Sequence, residues 1–97
     1  MKFQIVLAPE AVDDFKALSA HAKAEVRDAI EAHLRHEPTK MSKSRIKRLR
    51  GLSRSQYRLR VGEIRIYYDV SASTVEVLGI IEKDKSKQWL EKAGESQ

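Results

Sequence analysis

Three arginines stand at alternating positions around a glycine turn, a pattern that suits the binding of phosphate. Arg58 and Arg60 precede the Gly62-Glu63 pair, and Arg65 follows it. A Gly-X pair between two alternating segments suits a tight type II′ turn, so the segments are predicted to form a β-hairpin. Guanidinium groups bind phosphate through paired hydrogen bonds, and a cluster of them can neutralise the charge that develops on a phosphorane.

The predicted hairpin puts these arginines on one face of a sheet. Its register pairs Arg60 with Arg65 and Arg58 with Tyr67, while the apolar side chains share the opposite face. Like charges directly opposite each other destabilise a sheet, so an arginine face without a carboxylate indicates an anionic ligand. We interpret the face as a phosphate clamp with Tyr67 as an aromatic ring for base stacking. A shift of the strand pairing by one residue would change these cross-strand pairs.

The middle of the chain concentrates the positive charge. Residues 40–67 hold ten basic residues and one acid, Glu63, whereas the whole chain has a net charge of +5. Arginine outnumbers lysine there, which argues against a lysine-rich loop kept for solubility and favours phosphate binding. The basic residues before the hairpin are therefore further candidates for phosphate binding: Lys43, Arg45, Lys47, Arg48 and Arg50.

Hydrophobic spacing predicts the elements that hold this face. Alternation at residues 2–7 predicts a first strand, and Pro9 then suits the first turn of a helix. A second helix follows a break near Ser19 and ends at Pro38, which makes the pair a helical hairpin. The polar segment 39–55 is interpreted as a long loop.

Three strands and a terminal helix complete the order β-α-α-β-β-β-α. After the hairpin comes a last strand at 74–81, and the tail from Glu82 has helical composition with Trp89 and Leu90 available to dock it. The predicted fold class is α+β, a single domain over residues 1–97. A four-stranded, mainly antiparallel sheet is expected to pack on the helical hairpin.

The last strand is apolar on both sides. Leu78 and Ile80 have the opposite parity from Val75, Val77 and Ile81, as expected of a central strand buried on both faces. The helical hairpin is expected to cover one face. Either the tail helix or an amphipathic segment of a partner protein is expected to cover the other.

The composition excludes several kinds of site. Without cysteine, the chain has no disulfide framework, zinc finger or thiol nucleophile. His33 and His36, followed by Glu37, have the spacing to meet one metal ion, but a third well-placed ligand is missing. Neither a metal nor a cofactor is expected. The apolar runs are too short to span a membrane and residues 1–7 lack a secretory signal, so a cytoplasmic protein without membrane contact is expected.

The sequence resembles the RelE/ParE toxin superfamily, the toxic halves of bacterial toxin–antitoxin pairs. The resemblance rests on the stretch Leu49-Arg50-Gly51-Leu52 and on the core Tyr-Arg-x-Arg-Val-Gly-x-x-Arg at 57–65. Element order and length agree over nearly the entire chain. The resemblance implies the RelE-like fold and a cognate antitoxin as protein partner. An acidic, amphipathic antitoxin segment would shield apolar and arginine side chains together.

The RelE-type members of this superfamily cut messenger RNA in the ribosomal A site without a metal ion. The resemblance implies that basic residues hold the scissile phosphate while the 2′-hydroxyl attacks in line, which leaves a 2′,3′-cyclic phosphate and a 5′-hydroxyl. Arg58 and Arg60 match two basic residues on the second strand, and Arg65 matches the arginine thought to stabilise the phosphorane. Lys83 stands where another arginine is usual, just past the last strand.

Trp89 stands where some members use a tyrosine as general base. Indole has no accessible basic lone pair, so Trp89 is assigned to docking of the last helix or to stacking on a nucleobase. The base would then be a nearby carboxylate (Glu63, Glu82 or Asp84), or the proton would leave without a base and charge stabilisation would supply the rate.

Three functions stay open from the sequence. The leading hypothesis is a ribosome-dependent mRNA endoribonuclease that inhibits translation. The presence of Lys83 and Trp89 in place of the usual arginine and tyrosine favours the alternative, a ParE-like inhibitor of DNA gyrase without nuclease activity. The third is a non-toxic member that only binds its partner.

Overall fold

The fold is a five-stranded sheet with two helices on one face and a third helix on the other. The structure describes residues 2–50 and 55–95. The structure is a computed structural model. The strands are β1 (Gln4–Leu7), β2 (Ile46–Arg48), β3 (Tyr57–Val61), β4 (Ile64–Ser71) and β5 (Thr74–Glu82). The helices are α1 (Pro9–Lys16), α2 (Ala20–Ala29) and α3 (Ser86–Glu95), with a π-helical turn (Ile30–Leu34) after α2 and a 3₁₀ turn (Lys83–Lys85) before α3.

The predicted α+β class and element order are confirmed, but the predicted strand count is wrong. The sheet order is β1-β5-β4-β3-β2, with β1 parallel to β5 and the other pairs antiparallel. The additional strand, β2, lies inside the segment 39–55 that was predicted as a loop. Ile46 pairs with Leu59 in the core, and the backbone N–H of Arg60 donates to the carbonyl of Arg45 at 2.8 Å. Three residues with one apolar side chain are too few to show alternation, so pairing with β3 determines this strand.

The helical hairpin begins and turns where the sequence predicts. Pro9 occupies the first turn of α1, where its missing N–H has no helical acceptor to lose. Ser19 caps α2, because its Oγ accepts a hydrogen bond from the backbone N–H of Ala22 at 3.1 Å. The regular helix ends at Ala29 and the chain continues as the π-helical turn, so Pro38 lies beyond the helical part instead of ending it.

The apolar core lies between the helical hairpin and the sheet. The helical stripe predicted from the sequence is buried there: Val26, Ile30 and Leu34. Tyr57 and Tyr68 stack across β3 and β4 with 5.5 Å between ring centroids. The hydroxyl of Tyr68 donates to the carbonyl of Pro38 at 2.6 Å, and burial raises the pKa of Tyr68 well above its usual value. This bond ties the loop after the helices to the centre of the sheet.

A β-bulge interrupts the pairing of β4 with β5. Two successive residues of β4, Tyr67 and Tyr68, pair with Gly79 and Val77, so that Leu78 between them has no partner on β4. The inserted residue changes which side chains of β5 face the helices.

The bulge exchanges the two faces of β5 beyond Leu78. Ile80 joins Val77 in the core, whereas Ile81 pairs with Arg65 and lies outside the core. The prediction that grouped Ile81 with Val77 is therefore wrong, because strict alternation does not survive an inserted residue.

Asp14 on α1 completes the hydrogen bonding of β5 where β1 has ended. The last residue of β1, Leu7, pairs with Val77, so β1 offers no acceptor to the residues that follow. The Oδ2 atom of Asp14 accepts a hydrogen bond from the backbone N–H of Ile80 at 3.0 Å instead. A helix side chain thus replaces a missing strand and fixes α1 against the sheet just past the bulge.

Candidate phosphate-binding face

The predicted register of the hairpin is confirmed. Strands β3 and β4 pair Arg60 with Arg65 and Arg58 with Tyr67. Gly62 opens the turn with a φ of 58°, as the first central residue of a type II′ turn requires. Because side chains alternate along a strand, Arg58, Arg60 and Arg65 share the sheet face opposite the helical hairpin, here called the arginine face.

Arg65 is the most enclosed of the three arginines. It is 6% exposed, whereas Arg58 is half-buried and Arg60 is exposed. Its Nη1 atom donates to the carbonyls of Gly62 at 2.9 Å and Ile64 at 3.2 Å. Burial lowers the pKa of Arg65, and the charges of Arg58 and Arg60 lower it further. The surroundings therefore disfavour this positive charge, and a bound anion would stabilise it.

The arginine face lacks an acidic partner. None of its three arginines forms an ion pair with a carboxylate among the residues that the structure describes. The Nε atom of Arg58 is also buried, and it has no hydrogen-bond partner among the described residues. Buried polar atoms are normally hydrogen-bonded, so this unpartnered donor adds to the cost of the uncompensated positive charge on the arginine face.

Tyr67 does not present the open aromatic face that the sequence predicts. It is 2% exposed, and the indole of Trp89 stacks on its ring with 4.7 Å between centroids and 18° between planes. Gly79 permits this contact, since a Cβ atom there would come within 2.6 Å of the indole. Trp89 therefore docks α3 on the sheet, and Tyr67 is unavailable for stacking a base while α3 is docked.

Lys83 and the three candidate general bases line one groove beside the hairpin turn. Its lining residues are Glu63, Ile64, Glu82, Lys83 and Asp84. The backbone N–H of Lys83 donates to the carbonyl of Glu63 at 2.8 Å. Glu82 pairs with Ile64 and so belongs to the helix-side face. Glu63 lies in the hairpin turn, two residues before Arg65.

The basic residues of β2 divide between the two faces of the sheet. Lys47 pairs with Arg58 and therefore extends the arginine face. Arg48 lies with its guanidinium carbon 5.0 Å from the ring centroid of Tyr57, and its Nη1 donates to the Tyr57 hydroxyl at 3.0 Å. Since Tyr57 faces the core side, Arg48 lies away from the arginine face.

The other predicted phosphate-binding residues lie outside the strands. Arg45 precedes β2, where its carbonyl accepts a hydrogen bond from the backbone N–H of Arg60, and it lines a cavity together with His33. Lys43 and Arg50 are exposed in irregular segments. Residues 51–52, part of the stretch that resembles the toxin superfamily, lie outside the described residues.

Gly79 provides the space in which Trp89 rests on the sheet, a role that was not predicted from the sequence. A glycine inside a strand of β-branched residues marks a bulge or a close approach of another group, and Gly79 lies next to both.

In residues 2–50 and 55–95, no group of three or more metal-ligating side chains could hold a metal ion. No helix in those ranges is long and apolar enough to cross a membrane.

The sequence matches one known protein family. The model of the ParE toxin of type II toxin–antitoxin systems (parDE) matches residues 5–86. The chain therefore belongs to this family within the RelE/ParE toxin superfamily, and it is the toxin of a toxin–antitoxin module. Among curated proteins, none matches its sequence.

Solved structures of RelE toxins share the fold. A double-arginine mutant of the E. coli toxin RelE in the free state superimposes with a TM-score of 0.73 at 17% identity, covering 96% of this chain and 95% of that chain. The toxin–antitoxin complex RelBE2 of Mycobacterium tuberculosis gives 0.72 at 21% identity, over 84% and 99%. The RelB–RelE complex of Methanococcus jannaschii gives 0.66 at 21% identity, over 87% and 96%. At these identities the likeness establishes the fold alone.

Proposed function

We propose that this toxin is a ribosome-dependent endoribonuclease that cuts messenger RNA and thereby inhibits translation. One observation supports the proposal above all: Arg58, Arg60 and Arg65 share one sheet face and pair with no carboxylate in the described part of the chain. Closely spaced guanidinium groups match the closely spaced charges of a nucleic-acid backbone.

In the proposed reaction the RNA supplies its own nucleophile. The 2′-oxygen loses its proton and bonds to the adjacent phosphorus, the bond from phosphorus to the 5′-oxygen breaks, and that oxygen gains a proton. The products are a 2′,3′-cyclic phosphate and a 5′-hydroxyl. The protein's main contribution is to hold the phosphate in line and to stabilise the added negative charge.

The three arginines take different parts in this reaction. The half-buried Arg58 and the exposed Arg60 orient the scissile phosphate. Arg65 stabilises the phosphorane; both of its hydrogen bonds to the backbone come from Nη1, which leaves its Nε and Nη2 as donors. Arginine is a poor general acid at neutral pH, so none of the three donates a proton.

Proton transfer is assigned to the turn end of the face. Trp89 lacks a basic lone pair and is stacked on Tyr67, so it does not serve as general base. Glu63 is the carboxylate whose charge acts on Arg65, and it takes the place of base in this proposal. The backbone N–H of Lys83 donates to the carbonyl of Glu63, so Lys83 adds positive charge at the same end of the face.

We further propose that a cognate antitoxin is the protein partner. Two of the similar solved structures are toxins with their antitoxins. An acidic, amphipathic segment suits this chain because the arginine face is continuous with a groove that Ile81 and Trp89 line. Such a segment would cover charged and apolar surface together.

Toeprinting of translated messages with purified protein tests the ribonuclease proposal. We expect wild-type protein to produce cuts in the ribosomal A site, and the substitution Arg65→Ala to slow cleavage by about 100-fold or more. Arg27→Ala, an exposed arginine on α2, serves as the matched control and should cleave normally. Circular dichroism verifies that both variants are folded. The proposal fails if translation proceeds without A-site cuts in the presence of wild-type protein.

A second candidate function is inhibition of DNA gyrase without cleavage of RNA. The stacking of Trp89 on Tyr67 favours this function. Trp89 stands where a tyrosine would act as general base, and it docks a helix instead. Supercoiling assays separate the two functions. Accumulation of cleaved DNA–gyrase complexes, with no RNA cuts in the toeprinting assay, would establish the alternative.

A further inference from the structure

A second basic cluster lies beside β2, at the edge of the sheet. A cavity opens there between the π-helical turn and the segment that leads into β2. The polar and charged side chains that line it are His33, Glu37, Lys40, Ser42 and Arg45. Lys40 and Arg45 therefore outnumber the single carboxylate on its walls, and protonation of His33 adds a third positive group.

Arg45 is the cation in this cavity that lacks an acidic partner. Glu37 pairs with Lys40 at 3.8 Å, whereas Arg45 forms no ion pair with a carboxylate within residues 2–50 and 55–95. The Oγ of Ser42 accepts hydrogen bonds from the backbone N–H groups of Arg45 at 3.0 Å and Ile46 at 3.2 Å. These bonds use the lone pairs of Ser42 and leave its hydroxyl hydrogen to donate to a ligand.

The π-helical turn places His33 at the cavity. Its end residues, Ile30 and Leu34, are both buried, which fixes the turn and leaves His33 half-buried on the cavity wall. Widened helical turns of this kind are frequent at functional sites. Burial lowers the pKa of His33, and the charge of Arg45 lowers it further. An anion between the two side chains would offset both effects.

We propose that this cavity binds a phosphate group, with Arg45 and Ser42 as donors and His33 binding as the imidazolium. A guanidinium and a hydroxyl provide the directed hydrogen bonds that phosphate oxygens accept, and Lys40, which pairs with Glu37, also lines the cavity. The site lies outside the arginine face and does not depend on the ribonuclease activity. The cavity adjoins the edge strand β2, whose Lys47 extends the arginine face, so one nucleic-acid strand could place phosphates at both sites.

A titration of the full chain with inorganic phosphate tests the proposal, with the three histidines followed by NMR. We expect phosphate to raise the pKa of His33, because an anion stabilises the imidazolium. His21 and His36 are exposed and serve as internal references that should move no more than in sodium chloride of equal ionic strength. The proposal is overturned if His33 moves no further than these references.

Two substitutions separate a defined site from general attraction to a basic protein. Arg45→Gln should weaken phosphate binding by about tenfold or more, because it removes a charged donor. Lys43→Gln removes the same charge from an exposed position of the same segment that does not line the cavity, and it should change binding less than about twofold. Equal effects of the two substitutions, in folded proteins, would contradict the proposal.

A short single-stranded RNA then identifies the source of the phosphate. If the RNA produces the same shift of His33 and competes with inorganic phosphate, the ligand is a backbone phosphate. If inorganic phosphate binds and the RNA does not, the ligand is a free phosphate or phosphomonoester. Both arms require the same site, and neither involves the ribosome, so they report independently of the toeprinting assay.

Discussion

Arg60 on β3 and Arg65 on β4 are direct cross-strand neighbours on the face of the sheet that lacks the helical hairpin. Facing like charges normally destabilise a sheet, and here no carboxylate pairs with either residue in the described part of the chain. Such repulsion between like charges is tolerated at a site where a bound anion offsets it. Stability and function therefore oppose each other at this pair.

Replacement of one member of the pair should stabilise the free protein. We expect Arg60→Gln to raise the free energy of unfolding at low salt by about 0.5 kcal/mol, because it removes the repulsion from Arg65. High salt should reduce the gain by screening. Urea unfolding at the two salt concentrations measures it, with Arg27→Gln on α2 as control. A loss of stability at low salt would indicate that Arg60 makes favourable contacts that outweigh the repulsion.

Gly79 should be intolerant of a side chain because of Trp89. A Cβ atom at residue 79 would lie within 2.6 Å of the indole, so we expect Gly79→Ala to displace α3 and to cost about 1–3 kcal/mol of stability. Trp89, the single tryptophan, reports the displacement as a red shift of its fluorescence.

The matched control is Gly62→Ala. Gly62 has a φ of 58°, and a Cβ atom added there would meet no other atom within 4 Å, so alanine at this position strains the turn alone. We expect a loss of about 1 kcal/mol with unchanged tryptophan fluorescence. If Gly79→Ala also leaves the fluorescence unchanged, then Trp89 does not rest on this strand.

Asp14 should contribute to stability through one hydrogen bond to the sheet. Removal of the acceptor for the Ile80 N–H in Asp14→Ala should cost about 1–2 kcal/mol. Asp14→Asn keeps an oxygen acceptor and should recover most of the loss. Asp13→Ala, the exposed neighbour on α1, is the control and should have little effect in thermal unfolding. Equal losses for Asp13→Ala and Asp14→Ala would point to a general effect on α1 instead.

His33 should make the protein less stable in mild acid. Because burial and Arg45 lower its pKa from 6.5, the unfolded chain binds this proton more readily than the folded chain. The contribution of His33 to stability is therefore complete above about pH 6.5 and decreases as the pH falls toward its lower folded-state pKa. Urea unfolding at pH 7.5 and 5.5 should show a smaller decrease for His33→Gln than for wild type. His36→Gln should behave as wild type; the reverse pattern would exclude His33 as the cause.

Local patterns predicted the parts of the fold that depend on neighbouring residues. The Gly62-Glu63 turn and strict alternation on both sides of it determine the register, so the pairing of Arg60 with Arg65 could be predicted. The position of Pro9 in the first turn of α1 and the break near Ser19 likewise follow from local chemistry.

Features that depend on distant contacts could not be predicted. Strand β2 exists because Ile46 meets Leu59, and three residues carry no periodic signal. The inserted Leu78 exchanges the two faces of β5, so strict alternation predicted the wrong face for Ile81. Docking of the last helix by Trp89 was predicted, but the contact with Gly79 that lets the indole cover the ring of Tyr67 was not.

The salt dependence of RNA binding tests most directly whether the three guanidinium groups contact phosphates together. Affinity for a short single-stranded RNA should fall with salt, and the logarithmic slope should shrink by about 0.7 for each phosphate contact that is removed. We expect the triple substitution Arg58→Gln, Arg60→Gln and Arg65→Gln to reduce the slope by about 2, and a matched triple of exposed basic residues (Lys2, Lys16 and Arg27 to Gln) to leave it nearly unchanged. A slope that is unaltered by loss of Arg58, Arg60 and Arg65 would contradict a shared phosphate-binding face.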